Sequence, residues 1–117
     1  MKNTRRLIVH GDGPTQVRLA RLVGDKAESV HTLAGARSIG EMGWSEFGLV
    51  IIEGSLPDGQ GEKLAQEVRQ SNPETLIIAI DDDTVGRANF RKLGCQFVCE
   101  PDKVTRLLKR VVAALEH

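Results

Sequence analysis

Four acidic residues each follow a short aliphatic run of this 117-residue chain: Asp12, Glu53, Asp81 and Glu100. Carboxylates that meet at one place can bind a divalent cation, because such ions prefer oxygen ligands. Without a cation, either a pKa must rise or some of the side chains must point to water. Our favoured interpretation is that Glu100 and Asp82–Asp83 are solvated and cap the following helix. We expect no cofactor. The alternative is a weak cation site made by Asp12 and Glu53, for instance for Mg²⁺.

The elements that must position these acids alternate between aliphatic runs and helical patterns. Five runs predict strands: Leu7–His10, Val30–Leu33, Leu49–Ile52, Leu76–Ile80 and Phe97–Cys99. Apolar spacing, with glycine or proline at the boundaries, predicts five helices at Thr15–Val23, Ala36–Met42, Glu62–Ser71, Thr84–Leu93 and Asp102–Leu115. The uninterrupted third and fourth runs are typical of strands buried on both faces of a parallel sheet. The pattern predicts a doubly wound α/β domain, in which ligands bind at the carboxyl ends of the strands.

Composition and charge limit the class of protein. The chain is 40% hydrophobic and 27% charged with a formal net charge of zero, which is typical of a globular domain without general affinity for nucleic acid or membranes. No apolar stretch approaches the ~20 residues of a membrane span. We expect a cytoplasmic protein in which Cys95 and Cys99 are reduced core residues. We expect residues 1–114 to form one domain, and residues 115–117 to be the remnant of a vector-encoded tag.

Several motifs carry a resemblance to a known family. In "LVIIEGSLPDGQG", residues 49–61, an aliphatic strand is followed by an acid, two residues, Leu-Pro and then Gly. Pro14 opens the first predicted helix, "NPETLII" leads into the fourth strand, and "LGCQFVCEP" contains the fifth. These segments resemble the receiver domain of two-component response regulators of the chemotaxis-regulator type, from Arg6 to about Ala114. The resemblance implies a flavodoxin-like five-stranded sheet of order 2-1-3-4-5 and a role in signal transduction, as in a phosphorelay.

The resemblance also implies where the family's chemistry would lie, and there the chain departs from the pattern. Receiver domains use two acids that hold Mg²⁺, a phospho-acceptor Asp, a Thr or Ser hydroxyl and a Lys. At these positions this chain has Gly11, Asp12, Glu53, Asp81 and Glu100, while Phe97 takes the place of the family's switch aromatic. The departures remove a metal ligand, lengthen the acceptor and place repulsive charge where a phosphoryl group would bind.

We therefore expect a degenerate pseudo-receiver that is not an enzyme and acts through protein–protein contacts without aspartyl phosphorylation. A phosphorylation- or metal-responsive receiver domain is the alternative, and a small-ligand-binding flavodoxin-like module is a third hypothesis. Whether Glu53 mimics a phosphorylated state is left open. His10 ends the first predicted strand and His31 lies within the second. We interpret both as partly buried structural histidines rather than metal ligands.

A cluster of basic residues lies on the last two predicted helices: Arg87, Arg91, Lys92, Lys103, Arg106, Lys109 and Arg110. By contrast, residues 41–83 contain ten acidic and two basic residues. Receiver domains use the face made by these helices and the last strand to dimerise or to bind partners, so the resemblance implies a protein partner or a homodimer there. Solvated helix surfaces are the simpler interpretation. The sequence has no helix-turn-helix motif or aromatic platform, and we expect no direct contact with nucleic acid.

Overall fold

The computed structural model describes residues 5–24 and 27–116, which fold into one α/β domain. The strands are β1 (Arg5–Val9), β2 (Ala27–Val30), β3 (Phe47–Glu53), β4 (Leu76–Ile80) and β5 (Phe97–Cys99). The α-helices are α1 (Gly13–Val23), α2 (Leu33–Ile39), α3 (Gln60–Ser71), α4 (Thr84–Lys92) and α5 (Val104–Leu115). Short 3₁₀ turns occupy Gly40–Met42, Trp44–Glu46, Pro57–Gly59 and Pro101–Lys103. Within the described ranges, no helix is long and apolar enough to span a bilayer.

The five strands pair in parallel in the order β2-β1-β3-β4-β5, which confirms the predicted doubly wound sheet. Helices α1 and α5 cover one face, where Leu19 and Leu108 belong to the same buried cluster as Ile51 of β3. Helices α2, α3 and α4 cover the other face, where Leu64 and Phe90 belong to the same buried cluster as strand residues of β1, β3 and β4. Burial on both faces explains the uninterrupted apolar run in β3.

The second strand lies earlier in the chain than predicted. It spans Ala27–Val30, whereas the sequence suggested Val30–Leu33. The Thr32 hydroxyl accepts a hydrogen bond from the Gly35 N–H at 3.0 Å and caps α2, so Leu33 is buried from the first turn of a helix rather than from a strand. His31 therefore lies in the turn after β2, and the prediction that placed it within the strand was wrong.

The C-terminal residues that we assigned to a tag contact the domain. Leu115 is the last residue of α5 and packs, partly buried, against the α1–α5 side of the core. The Glu116 carboxylate accepts a hydrogen bond from the Arg6 guanidinium at 3.2 Å, and Arg6 also donates to the Val23 carbonyl at the end of α1. His117 lies outside the described residues.

Candidate functional site

The carboxyl ends of the central strands border a crevice of about 260 Å³. It lies at the switch point of the doubly wound sheet, where the strand order reverses between β1 and β3, which is where such folds bind ligands. Its polar lining is made by His10, Thr15, Arg18, Glu53, Ser55, Asp81 and Asp82. Of the acids singled out in the sequence, Glu53 and Asp81 thus line the crevice.

Glu53 is held by hydrogen bonds to both of its carboxylate oxygens. Oε1 accepts the backbone N–H of Gly11 at 2.7 Å, and Oε2 accepts the Ser55 hydroxyl at 2.7 Å. Nδ1 of His10 lies 3.4 Å from Oε1. A β-carbon at Gly11 would come within 3.3 Å of Oε1, so a residue without a side chain suits this close approach. The side chain of Glu53 therefore reaches from the end of β3 to the turn after β1.

Asp12 caps helix α1. Its Oδ2 accepts the backbone N–H of Thr15 at 2.9 Å and also the Thr15 hydroxyl, and these bonds hold the pKa of Asp12 below its ordinary value. The cap explains why α1 begins at Gly13 rather than at Thr15. The Asp12 backbone N–H donates to His10 Nδ1 at 3.0 Å.

These residues do not fit the Mg²⁺ site that the resemblance implies. Gly11 supplies no side chain, both oxygens of Glu53 are bonded within the chain, and Asp12 uses Oδ2 as a helix cap. Within residues 5–24 and 27–116, no three His, Cys, Asp or Glu side chains are grouped so that they could hold a metal ion. A site that lacks one acidic ligand, and whose remaining carboxylates are already oriented by bonds within the chain, binds Mg²⁺ poorly, because this ion demands near-octahedral geometry.

Asp81 is buried beneath the start of α4, with 8% of its surface exposed. Its Oδ1 accepts the backbone N–H of Asp83 at 2.9 Å. Its Oδ2 fits into a notch between two glycines: a β-carbon at Gly54 would lie 2.5 Å from it, and one at Gly86 would lie closer still. The side chain at the family's hydroxyl position is therefore fixed by packing against backbone.

Glu100 turns toward neighbouring cations. Its carboxylate lies 3.0 Å from Lys103 Nζ and 3.9 Å from the Arg87 guanidinium. The hydrogen bond from Lys103, followed by the charges of Lys103 and Arg87, lowers the pKa of Glu100. Asp83 caps α4, since its Oδ2 accepts the Gly86 N–H at 2.9 Å, and Asp82 is exposed.

Two arginines near the strand ends were not predicted to lie at the crevice. Arg87 was assigned to the partner-binding face of the last two helices, but only 15% of its side chain is exposed, and its Nη1 donates to the Asp81 carbonyl at 2.9 Å. Arg87 follows the cap residue Asp83 by four positions, which is one helical turn, and this spacing could have indicated that it points back to the strand ends. Arg18 lines the crevice from α1, one turn beyond Thr15.

A larger groove of about 630 Å³ lies over β5 between α4 and α5. We call it the β5 groove. Its apolar lining is Phe97, Val98, Cys99 and Leu107, its cations are Arg91, Lys103, Arg106 and Arg110, and its acidic residue is Asp102. Cys99 is therefore only partly buried, lining the groove and packing against the core, whereas Cys95 is buried as predicted. Burial raises the pKa of both thiols, that of Cys95 to about 11.

The seven basic residues grouped in the sequence do not share one face. Four of them line the β5 groove, and Arg87 turns to the strand ends. Lys92 borders a separate depression beside α3, together with Glu62 and Lys63. Lys109 is exposed on α5. The basic surface beside β5 is therefore smaller than the sequence suggested.

No family model matches the sequence, and no curated protein matches it. Solved structures do match. The beryllofluoride-activated receiver domain of DrrB has a TM-score of 0.82 at 16% identity, with 96% of each chain covered. A CheY-like response-regulator receiver domain from Methanospirillum hungatei has a TM-score of 0.77 at 18% identity, covering 96% of this chain and 95% of that one.

A third structure, a putative response regulator from Chloroflexus aurantiacus, has a TM-score of 0.79 at 18% identity and covers 99% of this chain and 100% of that chain. In all three comparisons the match extends over nearly the whole of both chains, although fewer than one residue in five is identical. The sheet order and the position of the crevice agree with such a domain. This chain therefore has the fold of response-regulator receiver domains.

Proposed function

We propose that this domain is a regulatory interaction module of a signalling protein, that it is not an enzyme, and that it works without aspartyl phosphorylation. The observation that supports this best is the state of Glu53. At the acceptor position the side chain is longer than that of Asp. One of its carboxylate oxygens accepts a hydrogen bond from Gly11 and the other accepts one from Ser55. A nucleophile needs an oxygen aimed at the phosphodonor, and a displacement of about 1 Å can slow a reaction ~10²-fold.

The charges around the crevice support the same proposal. A phosphoryl group carries about two negative charges, and in this crevice it would lie among the three acids Glu53, Asp81 and Asp82, with Arg18 as a cation of the lining. At an effective dielectric of ~20, the repulsion between two like charges ~4 Å apart costs about 4 kcal/mol. Glu100, at the position of the family's lysine, adds a negative charge where a cation is needed, and Arg87 already donates to a backbone carbonyl.

Incubation with acetyl phosphate and Mg²⁺, followed by intact-mass measurement, tests this part of the proposal. We expect no phosphoryl adduct on the wild-type domain. We also expect none on Glu53→Asp, because Asp81 and Glu100 remain and Gly11 still supplies no metal ligand. A Mg²⁺-dependent adduct that disappears in Glu53→Gln would instead support the alternative, a phosphorylation-responsive receiver domain.

The partner side of the proposal rests on the β5 groove. Its apolar residues, among them Phe97 and Leu107, lie between cations of both flanking helices. Such a surface suits an acidic protein partner that inserts an apolar side chain. A second copy of this chain is the other occupant we consider, since its residues 41–83 are strongly acidic. Complementary charge accelerates association, and this effect falls as salt rises.

Replacement of the four groove cations, Arg91, Lys103, Arg106 and Arg110, by Ala tests the partner surface. A matched control replaces four exposed cations outside the groove: Arg21, Lys63, Lys92 and Lys109. We expect the groove variant, and not the control, to lose low-salt self-association in sedimentation velocity or binding of an acidic peptide that contains one Phe. Equal losses in both variants would mean that net charge and not the groove governs binding.

A further inference from the structure

The contacts of Glu53 join two turns that are far apart in the sequence. Gly11 belongs to the turn between β1 and α1, and Ser55 to the turn after β3. One donates a backbone N–H and the other a hydroxyl to the same carboxylate, each at 2.7 Å. Two donors that converge on the two oxygens of one carboxylate form a small binding site for that group.

We propose that Gly11 and Ser55 form a carboxylate cradle in which Glu53 is a permanent internal ligand, and that this contact holds the β1–α1 turn against the end of β3. In this cradle the Glu53 side chain fixes the crevice in one conformation through its bonds to Gly11 and Ser55, without a bound ion. It goes beyond the proposed function, since a domain that is never phosphorylated could equally have a loose crevice.

The lengths of the side chains make residues 11 and 53 one coupled pair. An Asp at position 53 would be shorter by one carbon–carbon bond, about 1.5 Å, and could not keep a 2.7 Å bond to the Gly11 N–H from the same backbone position. An acid at position 11 would place its β-carbon 3.3 Å from Oε1 and a second negative charge beside it. The absence of an acid at position 11 and the longer acid at position 53 therefore both permit the hydrogen bond between the Gly11 N–H and Glu53.

The surroundings favour a closed cradle. Only 20% of the Glu53 side chain and 12% of the His10 side chain are exposed, so both side chains lie largely within the crevice, while the donors Gly11 and Ser55 are exposed. His10 accepts the Asp12 N–H through Nδ1, which orients the turn that presents Gly11. The buried side chain of Leu56 also lies close to Gly11.

Amide hydrogen exchange of Gly11, followed by NMR, tests the cradle. Gly11 is exposed, and its N–H should exchange slowly in the wild type because of its bond to Glu53. We expect Glu53→Ala and Glu53→Asp each to accelerate this exchange at least about ten-fold, as the loss of a hydrogen bond to a charged group implies. The matched control Asp82→Ala removes a crevice charge that does not contact Gly11, and it should leave the exchange unchanged.

Chemical rescue provides the second measurement. Sodium acetate, which replaces the atoms removed in Glu53→Ala, should slow Gly11 exchange in that variant again in a saturable way, whereas sodium chloride at the same ionic strength should not. Ser55→Ala in the same chain should weaken the rescue. If Glu53→Ala does not fold, as judged by circular dichroism, Ser55→Ala alone should still accelerate exchange at Gly11.

Unprotected Gly11 in the wild type, or exchange that none of these variants changes, would overturn the cradle. That outcome is separate from the test of the proposed function: a phosphoryl adduct on a domain with a protected Gly11 would refute only the absence of phosphorylation.

Discussion

Replacement of Gly86 by Ala tests whether Asp81 is locked beneath helix α4. A β-carbon there would overlap Asp81 Oδ2, so the carboxylate would have to leave its notch and release the Asp83 N–H, which it accepts at 2.9 Å. Loss of a hydrogen bond to a charged group costs about 1.5–3 kcal/mol, while Ala in place of Gly inside a helix returns up to about 1 kcal/mol. We therefore expect the free energy of unfolding to fall by about 0.5–2 kcal/mol.

Urea unfolding followed by circular dichroism measures this change. The double variant Asp81→Ala, Gly86→Ala provides the matched comparison, because Gly86→Ala should cost nothing or stabilise once the carboxylate has been removed. The coupling between the two sites should thus be at least as large as the single-variant loss. If Gly86→Ala is neutral or stabilising in the wild-type background, the notch does not fix Asp81 and our account of that position is wrong.

Two further predictions concern local contacts. Asp83→Ala should lower the free energy of unfolding by about 1 kcal/mol, because the carboxylate caps α4 through the Gly86 N–H, whereas Asp82→Ala, which removes a neighbouring exposed acid, should have little effect in the same urea titration. Cys95 should resist iodoacetamide in the folded protein at a pH below the ordinary thiol pKa of 9.0, because burial raises its pKa to about 11. The same thiol should react in urea. Rapid labelling of Cys95 in the folded protein would contradict its burial. Because the unfolded thiol ionises first, the stability from this group is complete below 9.0 and should fall as pH rises toward 11.

Burial on both faces made the central strands easy to predict, although the partly buried edge strand β5 was also predicted with its observed bounds, Phe97–Cys99. β3 and β4 are covered on both faces, so selection for apolar residues left uninterrupted runs, and β4 was predicted with its observed bounds. β2 is an edge strand whose residues Ala27–Val30 are at most partly buried, and it has no comparable run. The predicted strand Val30–Leu33 relied on Leu33, which belongs to α2.

The place of the site was predictable, but the directions of its side chains were not. Parallel strands bring their carboxyl ends to one edge, so topology alone located the crevice. The direction of Glu100 depends on Lys103 and Arg87, and that of Asp81 depends on a notch between glycines of different turns. Such arrangements follow from tertiary packing, which a single sequence does not reveal.

A titration of the ¹⁵N-labelled domain with beryllofluoride and Mg²⁺, followed by NMR, tests the central claim most directly. The DrrB receiver domain, solved in its beryllofluoride-activated form, provides the positive control under identical conditions. For this chain we predict that the amides of Gly11, Gly54 and Asp81 keep their chemical shifts throughout. Saturable shifts of these amides that require both beryllofluoride and Mg²⁺ would contradict the claim that the domain works without a phosphorylated acceptor.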